Sequence, residues 1–235
     1  MRTVITRALQ AVVAIGLAVA GLMVPAGTAS ATTGGGWVWL NQATSAGIYV
    51  DPGTNAPKNP QWSNTDIPAG TGSGVSANCW DYGNGNPVPG YADTWYHVSG
   101  EYYGNLGQYH SYTGWVYAPF VDGQGATGWL PKCSDNGQWF WVNGPNNVGE
   151  YDCPSSGCGK NSTDVVWMNT GSAVFAQCYS RGQNITGSDL WFNISYEYQN
   201  NGGYQQRHSA WVYAPFMGVT GPGSVAPCPI GNYVY

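Results

Sequence analysis

Apolar and polar residues alternate over short segments of this chain, with turn-forming residues between them. The clearest segment, residues 95–102, predicts a strand with two different faces: Tyr96, Val98 and Tyr102 on one, and Trp95, His97, Ser99 and Glu101 on the other. Residues 115–118 alternate in the same way. Turn formers such as Asp51-Pro52-Gly53 separate these runs. Since no amphipathic run of helical length follows the N-terminal region, the pattern predicts an all-β protein.

These segments occur twice. Residues 37–41, Trp-Val-Trp-Leu-Asn, recur 102 residues later as Trp-Phe-Trp-Val-Asn at 139–143. Two further segments correspond in the same order: 93–102 with 189–198, and 115–120 with 211–216. The last pair is identical, Trp-Val-Tyr-Ala-Pro-Phe. Chance does not place this many aromatic residues in register, so we interpret the chain as two copies of one unit.

The six cysteines follow the repeat. Their spacing alone does not select a pairing. Corresponding positions should form corresponding bonds, however, so the repeat predicts three disulfides: Cys79–Cys133, Cys178–Cys228 and Cys153–Cys158. Loop-closure entropy assigns roughly 4 kcal/mol to each long bridge and roughly 2 kcal/mol to the short one. Such a set of disulfides indicates an oxidising compartment.

The N-terminus has the pattern of a secretion signal. Arg2 and Arg7 flank the start of an apolar run from Ala8 to Val24, and Ala29-Ser30-Ala31 supplies small residues suited to cleavage. We therefore predict a signal peptide over residues 1–31 and a secreted mature chain, with no membrane contact after cleavage. A retained anchor is the disfavoured alternative, because the apolar run is short and lacks a basic stop-transfer flank.

Composition narrows the class of partner. Charged residues make up only 8% of the chain, while it contains 12 Trp and 17 Tyr. Without Arg2 and Arg7, five Lys and Arg remain against 12 Asp and Glu, a net charge of about −7. Those five cations are scattered along the sequence, whereas nucleic-acid binding requires clustered Lys and Arg. We therefore expect no nucleic-acid partner.

Four segments of the first unit resemble the bacterial SH3 domain family. They are the opening strand at 47–52, a Pro-x-Gly-Thr turn at 67–71, a central Trp-Tyr-x-Val strand at 95–98 and the closing Gly-Trp-Val segment at 114–121. The resemblance covers about 45–133 and 147–228. The usual Arg-Ser-Gly-Pro run after the first strand is replaced by Asp51-Pro52-Gly53-Thr54 in one unit and by the Cys153–Cys158 loop in the other.

This resemblance implies two tandem small SH3-like β-barrels, stabilised by disulfides, at residues 32–135 and 136–235. Members of the family usually bind ligands in a shallow aromatic groove, and in bacteria the ligand is often a cell-wall peptide or glycan. Carried over by position, the groove consists of Tyr49, Trp95, Tyr117 and Phe120 in the first unit, and Tyr151, Trp191, Tyr213 and Phe216 in the second. Flat amphipathic rings suit neutral sugars and extended peptides. The alternative is that these rings form the core.

Catalysis is the disfavoured interpretation. The repeated acids, Asp93 with Asp189 and Glu101 with Glu197, are of a type that glycosidases use in pairs. A working site is normally built once, however, whereas a binding patch or a capping Asp is readily copied. All six cysteines are assigned to bridges, and the three histidines do not correspond between the units. We predict no catalytic residue, no metal site and no cofactor.

The sequence as a whole predicts a secreted, non-catalytic protein that binds a cell-wall polymer, with its oligomeric state left open. Two alternatives remain. One is an extracellular protein-interaction factor, such as a protease inhibitor, toxin or competition protein, because a disulfide-clamped loop is rigid enough to present a contact. The other is a cell-wall hydrolase whose motif is not recognisable.

Overall fold

A computed structural model describes residues 35–53, 55–58, 66–85, 90, 92–160, 165–168, 170–200 and 202–229. All of them belong to one compact unit. The expected signal peptide at residues 1–31 lies outside the described residues.

Among the described residues, β-strands predominate over helices, in agreement with the predicted all-β class. The first half contains β1 (Gly36–Trp39), β2 (Ile48–Tyr49), β3 (Gly74–Tyr82), β4 (Thr94–Tyr103), β5 (Gln108–His110) and β6 (Gly114–Tyr117). The second half contains β7 (Gln138–Trp141), β8 (Val148–Tyr151), β9 (Val165–Val166), β10 (Ala173–Arg181), β11 (Leu190–Gln199) and β12 (Tyr204–Tyr213). Short helical turns follow: α1 (Ala118–Val121), and 3₁₀ turns at Gly125–Gly128, Cys133–Asp135 and Ala214–Met217.

Each half forms one antiparallel sheet. The strand order is β1-β3-β4-β6-β2 in the first, with β5 also paired to β4, and β7-β10-β11-β12-β8-β9 in the second. The first sheet lies within residues 36–117 and the second within 138–213, on either side of the predicted boundary at 135/136. Backbone pairing among the described residues leaves both sheets open at their edge strands.

Proline ends the last strand of each half. Pro119 and Pro215 occupy the first turn of the short helices that follow β6 and β12. A proline is tolerated there because the first amides of a helix have no partner within it. The predicted strand over 115–118 therefore ends at Tyr117, and Ala118 begins α1.

Because of a β-bulge, the end of β4 has the opposite faces to those predicted from the sequence. Register shifts between Ser76 and Ala77 and between Ala77 and Cys79 interrupt the β3–β4 pairing. Such a shift exchanges the two faces of the strand beyond it. Glu101 is therefore paired with the core residue Val75, while Tyr102, expected beside Tyr96 and Val98, lies on the outer face.

Both faces of the central strands are buried. On one face of β4, Tyr96 and Val98 belong to the core of the first half. Phe192 and Ile194 on β11 belong to the corresponding core of the second half. The opposite face packs in a further cluster that combines both halves: Cys79, Trp95, Trp115, Tyr117 and Cys133 with Phe175 and Tyr196. The halves are thus joined through a shared interior.

The backbone bonds between the halves are reciprocal. The Thr113 amide donates to the carbonyl of Asp152 (3.1 Å). The Ser209 amide donates to the carbonyl of Val50 (3.2 Å). Thr113 corresponds to Ser209 in the repeat, and Val50 corresponds to Asp152. This exchange of equivalent partners is the pattern of a two-fold symmetric interface.

Buried side chains repeat the exchange. His97 Nε2 lies 2.8 Å from Ser209 Oγ, and Asn193 Nδ2 donates to Thr113 Oγ1 over 2.8 Å. His97 and Asn193 are corresponding residues. Burial lowers the pKa of His97 to about 3, so its imidazole is neutral at ordinary pH.

Three disulfides close the fold: Cys79–Cys133, Cys153–Cys158 and Cys178–Cys228. These are the three pairs predicted from the repeat. The two long bridges tie β3 and β10 to the segments that end each half, and Cys153–Cys158 closes a small loop after β8. That loop faces residues 107–112 of the first half across a cleft.

Candidate functional site

The eight aromatic rings predicted to bind ligand form two clusters. In the first half, ring contacts run from Tyr49 to Trp95 (5.5 Å between centroids), from Trp95 to Tyr117 (5.2 Å) and from Tyr117 to Phe120 (5.2 Å). The second half repeats this chain of contacts through Tyr151, Trp191, Tyr213 and Phe216. The structure therefore brings the four rings of each half into contact with one another.

Four of the eight rings are in the interior, which corrects the expectation that they line an open groove. Trp95, Tyr117, Trp191 and Tyr213 are all at most 2% exposed. The Tyr117 hydroxyl donates to the Ala92 carbonyl (2.9 Å), so even its polar end is satisfied internally. The other four, Tyr49, Phe120, Tyr151 and Phe216, are half-buried beside these rings.

The burial of these four rings has a simple physical cause. Alternation assigns Val116 and Val212 to the core and their neighbours to the opposite face, and that face was expected to meet solvent. In the structure that face is covered. In the first half it packs in a cluster with Phe175 and Tyr196 of the second half, and in the second half it packs around the Cys178–Cys228 disulfide. A strand buried on both faces cannot present a binding platform.

Exposed aromatic side chains gather elsewhere, on the outer surface of the first sheet. Trp37 and Trp39 stack at 5.8 Å on β1, Trp37 meets Tyr109 at 5.6 Å, and Tyr102 lies 6.1 Å from Trp39 and 4.4 Å from Tyr109. Trp39 and Tyr109 are about half exposed (50% and 53%). We call these four residues the aromatic platform.

The sequence contained a signal for this surface. Val38 and Leu40 are buried, so the alternation over residues 37–40 points Trp37 and Trp39 outward. Gly74, the register partner of Trp39, leaves the space that the indole occupies: a Cβ atom on Gly74 would lie 2.7 Å from Trp39 Cε3. Tyr102 joins the platform only because of the β-bulge, which the pattern of residues 95–102 does not reveal.

The second half has no equivalent four-ring cluster among its described contacts. Trp141 is exposed (55%), but Trp139 leans on Phe175 at 5.2 Å, where the first half has Ser76 opposite Trp37. Gln205 stands at the position that corresponds to Tyr109. The surface of the second half therefore differs in shape and in chemistry.

Two clefts lie between the halves, and they involve corresponding segments. One, of about 730 Å³, separates residues 107–112 from the Cys153–Cys158 loop. The other, of about 540 Å³, separates residues 206–210 from residues 50–57 and from parts of 150–160. Both volumes are in the range of small-molecule sites. We call them the tyrosine cleft and the histidine cleft.

Charged residues line the histidine cleft. His208 Nδ1 is 3.6 Å from Asp51 Oδ1, and His208 Nε2 is 3.7 Å from Glu150 Oε2. Burial by itself lowers the pKa of His208, but the charges of Glu150, Asp51 and Glu197 outweigh this effect and raise the pKa to about 10. His208 is therefore a cation held between carboxylates. It links β12 to the first half, which fits a structural role.

The repeated acids also have structural partners. Asp93 accepts from Trp95 Nε1 (3.0 Å), Asp189 pairs with Arg181 (2.5 Å), and Glu197 accepts from Gln199 (3.1 Å) and from Gln206. Glu101 is the exception, because neither of its carboxyl oxygens has a hydrogen-bond partner among the described residues. All six cysteines are in disulfides.

Among the described residues, no group of three or more His, Cys, Asp and Glu side chains is placed to hold a metal ion. No helix in that part of the chain is long and apolar enough to cross a membrane.

No family model, curated protein or solved structure matches this chain.

Proposed function

We propose that this is a secreted, non-catalytic protein of two SH3-like units that binds a cell-wall glycan through the aromatic platform. The observation that carries the proposal is the cluster of Trp37, Trp39, Tyr102 and Tyr109 on the outer face of an otherwise well-packed sheet. A contiguous exposed aromatic patch on a soluble protein usually marks an interaction site. These rings replace the buried ones in the binding role expected from the sequence.

The chemistry of the platform favours a neutral, hydroxyl-rich ligand. Indole and phenol rings offer broad apolar faces for the C–H surface of a sugar, and the tyrosine hydroxyls supply directional hydrogen bonds. The four residues are Trp and Tyr, with no Asp, Glu, Lys or Arg among them, and the chain as a whole contains few charged residues. A wall peptide with ionised groups would find no complementary charge in these four residues.

Secretion is supported by the three disulfides, which are typical of oxidising compartments. The reciprocal contacts between the halves and the corresponding strand orders support the assignment of two related units. The SH3-like assignment rests on the sequence segments at 47–52, 67–71, 95–98 and 114–121, since the described strands do not close into barrels.

Retention on purified peptidoglycan tests the proposal. We expect the mature protein to sediment with sacculi, and Trp39→Ala to weaken this binding about tenfold, the effect of losing one large ring contact. Trp167→Ala is a matched control, because Trp167 is as exposed (51%) but belongs to the second half.

A mature protein that stays in the supernatant would reject the proposal. Equal loss of binding in both variants would show that the platform is not the site. Recovery of a stoichiometric protein partner from culture supernatant would favour the interaction-factor alternative, and release of soluble wall fragments would favour a hydrolase.

A further inference from the structure

The tyrosine cleft adjoins the aromatic platform. Tyr109 belongs to the platform and also lines the cleft. His110 and Tyr112 of the same segment line the cleft as well. The opposite wall is the Cys153–Cys158 loop of the second half with Ser155. Tyr109 therefore lies where the platform and the cleft meet, at β5.

The described lining of the cleft is polar but uncharged. It contains no Asp, Glu, Lys or Arg, and burial lowers the pKa of His110 below its ordinary value, so its imidazole is neutral at pH 7. Tyr109, Tyr112, Ser111 and Ser155 contribute hydroxyl groups, and the His110 and Tyr112 rings stack at 5.5 Å. Stacked rings with surrounding hydroxyls suit a sugar ring better than an ion.

A buried carboxyl group lies behind His110. Glu101 is the register partner of His110 in the β4–β5 pair, so their side chains leave the same face of the sheet with Cβ atoms about 5 Å apart. Glu101 is fully buried, and neither of its carboxyl oxygens has a hydrogen-bond partner among the described residues. A buried polar group without a partner is costly and calls for an explanation.

The second half provides the comparison. Glu197 corresponds to Glu101 and is also buried, but it accepts hydrogen bonds from Gln206, its register partner, and from Gln199 (3.1 Å). His110 stands at the position of Gln206, and Tyr103 at that of Gln199. The same acid therefore has hydrogen-bond partners in the second half, whereas in the first half it has none among the described residues.

We propose that the tyrosine cleft is a subsite for one neutral sugar residue, in which His110 hydrogen-bonds the sugar and Glu101 orients the His110 ring. A neutral imidazole has one donor and one acceptor nitrogen. In the bound state one nitrogen faces a sugar hydroxyl and the other faces the Glu101 carboxyl, which gives Glu101 the hydrogen bond that it otherwise lacks. Glu101 is a positioning residue. This inference rests on the proposed function, since the sugar belongs to the polymer on the platform.

The test exchanges the corresponding residues of the two halves, His110 and Gln206. His110→Gln places in the first half the residue that satisfies Glu197 in the second. We expect this variant to raise the Tm by several degrees and to weaken sugar binding at least about tenfold, the effect of losing one hydrogen bond to a buried group. Gln206→His is the matched control and should lower the Tm while leaving sugar binding unchanged.

The probes are N-acetylglucosamine, glucose and galactose, each titrated against the mature protein while the His110 ring signals are followed by NMR. At least one sugar should shift these signals, and the shift should be absent in Glu101→Leu, which replaces the orienting carboxyl by an apolar side chain suited to the buried site. No shift with any of the sugars, or an unchanged affinity in His110→Gln or Glu101→Leu, overturns the proposal.

The two proposals fail in different ways. Retention on sacculi without any sugar-induced shift at His110 would reject the subsite and leave the platform in place. A sugar-induced shift without retention on sacculi would reject wall binding and leave the subsite standing.

Discussion

At the scale of single residues, two histidines at the contact between the halves differ in charge, since His97 is neutral and His208 is a cation. His97 is buried among uncharged partners, whereas His208 is buried beside Asp51 and Glu150. The same burial that keeps the first neutral is outweighed by carboxylates at the second. Each therefore makes the stability of the fold depend on pH, in opposite directions.

His208 should stabilise the fold less as the solution becomes alkaline. Its pKa is raised from 6.5 to about 10, so its contribution is complete below about pH 6.5 and is lost as the pH rises toward 10. We expect His208→Gln to remove this decline. Urea unfolding of both proteins at about pH 6 and about pH 9 measures it, and equal pH slopes would contradict the assignment.

His97 should act on the acid side. Its folded pKa is about 3, so the unfolded state takes up the proton first, and stability should fall as the pH drops from 6.5 toward 3. In His97→Asn, which copies the corresponding Asn193, that part of the acid sensitivity should vanish. Thermal unfolding between about pH 6 and about pH 4 compares the two proteins. An unchanged acid dependence would show that His97 does not titrate in this way.

Gly74 should control the position of a platform ring. A Cβ atom there would press on Trp39, yet Ala173 occupies the corresponding place beside Trp141, so the sheet itself accepts alanine. We expect Gly74→Ala to retain the fold while displacing the Trp39 ring and weakening retention on sacculi several-fold. If the variant were retained on sacculi as well as the unmodified protein, binding would not depend on the position of the Trp39 ring.

At the scale of elements, β4 shows what a sequence pattern can and cannot reveal. The strand itself, the core positions of Tyr96 and Val98 and the three disulfides all follow from alternation and from the repeat. The bulge at Ser76–Cys79 does not, because inserting one residue leaves no mark on composition. The burial of Trp95 could not be predicted for another reason. Alternation identifies the two faces of a strand, but it does not show what covers the second face.

The disulfides should contribute unequally to the free energy of unfolding. Cys79–Cys133 closes a segment of 54 residues and Cys153–Cys158 one of 5. In the loop-entropy model these bridges contribute roughly 4 and roughly 2 kcal/mol. Replacing each pair by serine and measuring the free energy of unfolding should give losses in that order. A larger loss for the short loop would mean that it stabilises through its contacts across the tyrosine cleft.

At the scale of the whole molecule, the halves share an interior. Trp211 of the second half donates its indole N–H to Ser111 of the first (2.9 Å), and Gln177 donates to the carbonyl of Cys133 (2.8 Å). Phe175 packs in the cluster that contains Trp115. Separation would break both of these bonds and expose the buried rings to water, which removes the stabilisation gained from their burial.

Neither half should therefore fold stably by itself. We expect residues 32–135 and 136–235, produced separately, to lack a cooperative thermal transition, and we expect the mixture to regain one. Circular dichroism and calorimetry on the two pieces and on their equimolar mixture measure this. An isolated half with the Tm of the full chain would show that the shared interior is dispensable.

The reciprocal bonds from Thr113 to Asp152 and from Ser209 to Val50 have a consequence for how this molecule can change over time. In a homodimer, one codon specifies a residue on both sides of the axis, so every substitution is made twice. Here the two sides are encoded separately, and a mutation at one leaves its counterpart intact. One cleft could keep the glutamine that satisfies Glu197 while the other acquired His110, so covalent linkage allows a symmetric framework to acquire unequal sites.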